Sequence, residues 1–165
     1  MISLKNFLFA PRLPLWKYCL MAAPLCLIPS FALISVAEFC VTAFGFNVES
    51  LLPRYSGISF VDVLGTVFFA PTVETLLLSV GVNNLLKTQL KPLQIATISA
   101  IIWGCFHAIF GPLKFFGTVW SFFVLTCSYM AWMKVSPRCA FLAAAVPHSL
   151  VNALLVTYLL VSESW

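Results

Sequence analysis

Charge is what this sequence has least of. Only 8% of its 165 residues are Asp, Glu, Lys or Arg, against roughly 25% in a soluble domain. With 62% hydrophobic residues and a mean hydropathy of +1.04, one soluble core of this length cannot hide the apolar surface present. The composition is that of a polytopic membrane protein. The net charge of +4 is small and scattered, which excludes the basic stripe of a nucleic-acid binder. No C-x-x-C and no H-E-x-x-H occurs. Cys19, Cys26, Cys40, Cys105, Cys127 and Cys139 lie within or at the ends of apolar runs, where free thiols behave as small hydrophobes. There is no low-complexity linker and no repeat at a fixed period, so a single domain is expected. The N-terminal stretch MISLKNFLFAPRLPLWKYC lacks the apolar core of a cleavable signal, being short and broken by Pro11 and Pro14.

What the chain does have is long apolar runs. Five of them, about 19–46, 58–86, 95–111, 115–133 and 139–161, reach or approach the roughly 20 residues a spanning helix needs. The expected fold is an all-α transmembrane bundle of about five spans. Residues 1–18 form a cytoplasmic lead-in and 19–161 a single membrane-embedded domain. The second run is longer than a span needs and contains Pro71, which predicts a tilt or a kink. Lys5, Arg12, Lys17, Lys87, Lys91, Lys134 and Arg138 fall on one side of the membrane, and only Arg54 and Lys114 on the other. The excess of basic residues predicts a cytoplasmic N-terminus and an outward C-terminus.

Against this background a few polar residues stand out. A charged side chain at the centre of a membrane helix costs roughly 2.5–3.5 kcal/mol on insertion scales, so those present usually have a role. Glu74, His107, His148 and Asn152 lie well inside the runs. Glu38 and Asp62 fall near the outer ends, where headgroups are within reach. At about 1.5 Å of rise per residue, Glu74 and His107 each lie roughly 18 Å from the inner ends of their runs. His148 and Asn152 lie roughly 14 and 20 Å from theirs. Scarce polar groups from three runs are therefore expected in one layer. His148 and Asn152 share a helix face at i and i+4, and so do Trp103 and His107. Thr75 and Ser79 repeat that spacing next to Glu74, and their hydroxyls can bond back to helix carbonyls. Singly, a buried His is more often a packed contact and an Asn more often interhelical glue. Together they supply a base, a proton shuttle and polarising donors.

Three stretches carry a resemblance. APTVETLLLS places Pro71 before Glu74, SAIIWGCFHAIFG places Trp103 four residues before His107, and PHSLVNALL contains His148-x-x-x-Asn152. In this order, across about residues 58–157, they resemble the motifs of the CAAX protease and bacteriocin-processing family, also called the Abi family. Its members are intramembrane proteases. The chain departs from the family pattern where the second Glu of a Glu-Glu pair is Thr75 and an Arg four residues later is Ser79. Trp103 also stands where Phe is usual. Replacing both partners of a buried ion pair is close to neutral, whereas losing one costs about 3–5 kcal/mol.

The resemblance implies a multi-pass protein of a prokaryotic inner membrane that works as an intramembrane endopeptidase. Glu74 would take a proton from a water held between it and His107. His148 and Asn152 would donate to the developing oxyanion. No cofactor is implied. The alternative is a divalent metal such as zinc held by Glu74, His107 and His148, for which the sequence offers no local spacing. The expected partners are the bilayer and a peptide or protein substrate with a membrane-associated segment. Family members act on prenylated C-termini, leader peptides or sorting tails, and the sequence chooses none of them. One rival is a non-catalytic membrane protein of the bacteriocin-immunity type, favoured by the missing Glu and Arg. The other is a redox or transport protein, with both His on haem or Glu74 carrying protons.

Overall fold

The computed structural model describes residues 4–51 and 57–162. Arg54, counted above on the outer side, lies outside the described residues. Every regular element among the described residues is helical: α1 Leu4–Phe9, α2 Leu15–Ala43, α3 Phe60–Leu85, α4 Pro92–Ala108, α5 Lys114–Met133 and α6 Pro137–Ser162, with a short 3₁₀ turn at Val48–Leu51. Four of them, α2, α3, α5 and α6, are long and apolar enough to cross a membrane. The third run becomes α4, a shorter apolar helix of 17 residues. All six cysteines are free.

Local chemistry sets the ends, several residues away from where the apolar runs place them. α2 stops at Ala43 because Gly45, at φ 78°, turns the chain. The Gly45 N–H then donates to the Thr42 carbonyl and the Phe46 N–H to the Val41 carbonyl, which satisfies the last turn. Asp62 is a cap as well as an outer-end residue. Its carboxylate accepts from the Ser59 N–H while the Ser59 hydroxyl accepts from the Asp62 N–H, a reciprocal box at the start of α3. α4 and α6 both begin on a proline, whose missing N–H costs nothing at that position. The Gln94 side chain caps the Lys91 N–H, and the Ser136 hydroxyl caps the Cys139 N–H.

α5 is the centre of the bundle. From Phe122 to Trp132 nearly every residue is buried, as expected of a helix surrounded on all sides. It packs on α2, α4 and α6. Small residues permit close approach: Ala22, Ala23, Ala96, Ala140, Ala143 and Ala144 are almost fully buried. Gly104 is required on α4, since a Cβ there would meet the Phe115 ring at 2.9 Å. Hydroxyl and amide pairs join the helices. Tyr18 donates to Ser128 at 2.8 Å, Thr126 to Ser99 at 3.0 Å and Asn83 to the Tyr129 hydroxyl at 3.1 Å. Lys134 donates to the Phe9 carbonyl, which puts the α5–α6 turn at the same end of the bundle as α1. Large exposed apolar side chains such as Phe31, Phe39, Phe68 and Phe69 cover the outside, a surface suited to lipid.

α3 is held differently. It leans on α6 and touches α4 only lightly. It is also not a regular helix: Gly65–Phe69 is a π-helical turn, and the Ala70 N–H reaches back five residues to the Gly65 carbonyl. The irregularity expected at Pro71 is therefore a change of register just ahead of it.

Candidate active site

Three of the four polar groups singled out by depth meet in space. Glu74 enters from α3, His107 from the last turn of α4 and His148 from the middle of α6. The Glu74 Oε2 atom is 3.8 Å from His107 Nε2 and 3.6 Å from His148 Nε2. Both distances exceed a direct hydrogen bond. The carboxylate and the two rings are largely enclosed, the side chains of Glu74, His107 and His148 being 23%, 21% and 9% exposed.

The His107 tautomer follows from its partner. Nδ1 lies 2.9 Å from the Trp103 carbonyl. A carbonyl only accepts, so Nδ1 carries a hydrogen, and in the neutral ring Nε2 is left as an acceptor facing Glu74. The i, i+4 spacing of Trp103 and His107 thus does two things: the carbonyl orients the imidazole, and the indole packs beside it with centroids 6.3 Å apart. His148 presents Nε2 to Glu74. Its buried Nδ1 has no hydrogen-bond partner among the described residues.

Phe122, on α5, is the site residue that sequence reasoning misses. Its ring stacks on Trp103 at 4.7 Å and lies 5.2 Å from the His107 ring and 5.4 Å from the His148 ring. It is a shared wall that keeps both imidazoles turned toward Glu74. No local motif marks it among 16 phenylalanines; only the fold brings it here.

The fourth group, Asn152, is engaged elsewhere. Its Nδ2 donates at 2.8 Å to the backbone carbonyl of Thr66, in the π-helical turn of α3. An amide nitrogen carries two hydrogens, so one is committed to Thr66. Next to Glu74 on α3, Thr75 is buried, and the Ser79 hydroxyl donates to the Leu76 carbonyl at 2.7 Å.

Because α3 and α4 splay, a cavity of about 480 Å³ opens between them. Glu74 and His107 line it together with Leu77, Gly81, Ile102 and Phe106. Leu77, Ile102 and Phe106 are also exposed on the outer surface, so the cavity faces sideways. Among the described residues no group of three His, Cys, Asp or Glu side chains is placed to hold a metal ion.

The family model described as type II CAAX prenyl endopeptidase Rce1-like matches residues 56–154. That is more than half the chain and nearly the stretch over which the motifs stand. No curated protein and no solved structure matches the chain significantly.

Proposed function

The chain belongs to the Rce1-like family of type II CAAX prenyl endopeptidases, and from that premise we propose that it is an intramembrane peptidase in which Glu74 activates water. The observation that carries the reading is the meeting of Glu74 with two imidazoles at 3.6 and 3.8 Å, with Glu74 and His107 also lining an apolar cavity. A water between Glu74 and His107 gives one hydrogen to the carboxylate and one to the bare Nε2, which aims its lone pair into the cavity. As the oxygen attacks the scissile carbonyl, the proton passes to Glu74, which then returns it to the leaving amine. His148 Nε2–H stabilises the oxyanion, while the Asn152 amide is held on the Thr66 carbonyl. The substrate is a peptide or protein terminus whose apolar part lies in the bilayer and slides in between α3 and α4. The N-terminus is cytoplasmic in a prokaryotic inner membrane, a reading supported by Lys17, Lys87, Lys91, Lys134 and Arg138 at the ends and turns of one side.

The test is hydrolysis in proteoliposomes of a farnesylated CAAX peptide and of a membrane-anchored peptide without the lipid. Wild type should cleave at least one. Glu74→Gln should lose about 10²–10⁴-fold, the usual worth of a positioned base. Equal cleavage by both proteins would remove Glu74 as the base. No cleavage of either substrate by wild type would favour the non-catalytic reading.

A further inference from the structure

Pro71 leaves one carbonyl of α3 without an amide, and which carbonyl depends on register. In a regular α-helix the residue 71 amide would serve Val67, and the Ala70 amide would serve Thr66. In the π-helical turn each amide reaches one residue further back. Ala70 then serves Gly65, as observed, and the orphan becomes Thr66, because a proline has no N–H to give. The Thr66 carbonyl is the one that Asn152 meets. Thr66 lies on the exposed side of α3, and in a bilayer no water is there to take the place of a missing donor.

The geometry points to Asn152 as a positioning residue for Glu74: its amide stands in for the N–H that Pro71 lacks and so selects the π register of α3. The consequence is rotational. A π turn holds one extra residue, so everything after it is turned by about 100° relative to a regular helix. Glu74 lies after the turn. In the α register its carboxylate would point about 100° away from His107 and His148. One face of α6 thus holds α3 twice, with His148 facing the carboxylate and, one turn on, Asn152 fixing the register that brings it there. The catalytic consequence rests on the proposed role of Glu74; the register itself does not.

Nitroxide labels placed singly at positions 76 to 82 read the register directly, through their accessibility to oxygen. In the unaltered protein Leu76, Leu77 and Val80 are exposed while Leu78 and Val82 are buried, so the minima fall at 78 and 82. Asn152→Ala should move them one position, to 77 and 81, and lower kcat about 100-fold or more, as misplacing a reacting group does. Asn152→Leu has nearly the same size and no hydrogen-bond donor, and should do likewise. Asn152→Gln retains the donor and should keep the minima at 78 and 82. Should Asn152→Ala fail to fold, the Leu and Gln variants make the same comparison. Unmoved minima in the Leu variant, or moved minima in the Gln variant, would overturn the inference. Moved minima in a protein without peptidase activity would uphold the register and remove only the proposed chemistry.

Discussion

Pro29 in α2 and Pro71 in α3 interrupt two membrane helices, and the bundle treats them in parallel but not identical ways. Pro29 cannot donate to Leu25, four residues back. The Leu25 carbonyl instead accepts from the Trp120 indole N–H of α5 at 2.9 Å. Beside it the Ser121 hydroxyl donates to the Cys26 carbonyl at 3.3 Å and lies 3.0 Å from the Ser30 hydroxyl. That repair is made at i−4 and leaves α2 α-helical throughout. At Pro71 the repair is made at i−5, by Asn152, and the helix adopts a π turn. The position of the side-chain donor reports the register of the helix it serves. One kink is absorbed into the core. The other turns a carboxylate toward two imidazoles.

α5 offers the largest test of that difference, because Trp120 serves the Pro29 kink while Phe122, two residues on, serves the site. Phe122→Ala removes a ring that is 2% exposed and should lower stability by about 3–5 kcal/mol. It should also cut peptidase turnover, since both imidazoles lose their shared wall. Phe122→Leu should recover most of the stability and less of the turnover. If both variants lose the two properties in proportion, Phe122 is core only.

A smaller effect is expected at Trp120. Trp120→Phe keeps the aromatic bulk and removes the N–H, leaving the Leu25 carbonyl unmet at a cost of about 1–3 kcal/mol. Turnover at the prevailing substrate level should stay within about twofold, because nothing in the site rests on Leu25. A loss of activity like that of Asn152→Ala would erase the distinction between the two kinks. Smaller again is the coupling with Pro29. Pro29→Ala restores an amide for Leu25, so Trp120→Phe should cost about 1 kcal/mol less in that background, within the range of measured couplings. A denaturation cycle in detergent on the four proteins measures the difference, and strict additivity would show that the indole N–H is not acting on that carbonyl.

The contrast also explains what could be read in the sequence. Glu74, His107 and His148 were legible because charge and imidazole are scarce in a lipid-facing chain, and because counting rise per residue placed them at similar depth. Pro71 announced an irregularity, but a proline alone does not say whether the helix bends in register or gains a residue. Depth alone puts Asn152 in the layer of Glu74, but its amide meets the Thr66 carbonyl, about two turns earlier on α3, a partner that only the packing of α6 on α3 supplies. Phe122 and Trp120 carry no local signal, since one more aromatic in an apolar run changes neither period nor hydropathy. The ends of α2 and α4 also departed from the runs, since Gly45 and the caps stop helices where hydropathy continues.

The smallest expected effect is at Ser79, where the family pattern has an arginine. The Ser79 hydroxyl is spent on the Leu76 carbonyl of its own helix, so it holds nothing outside α3. Ser79→Ala removes only a local back-bond and should change stability by no more than about 0.5 kcal/mol, with turnover unaltered. Thr75→Glu should behave otherwise. Thr75 is 2% exposed, and a carboxylate there without the arginine is an uncompensated buried charge, costing about 3–5 kcal/mol. Adding Ser79→Arg to Thr75→Glu should recover part of that loss. If Ser79→Ala alone proved as damaging as Trp120→Phe, α3 would depend on its hydroxyls along its length. Its orientation would then not be set at Thr66 and Asn152, and the parallel between the two prolines would fail.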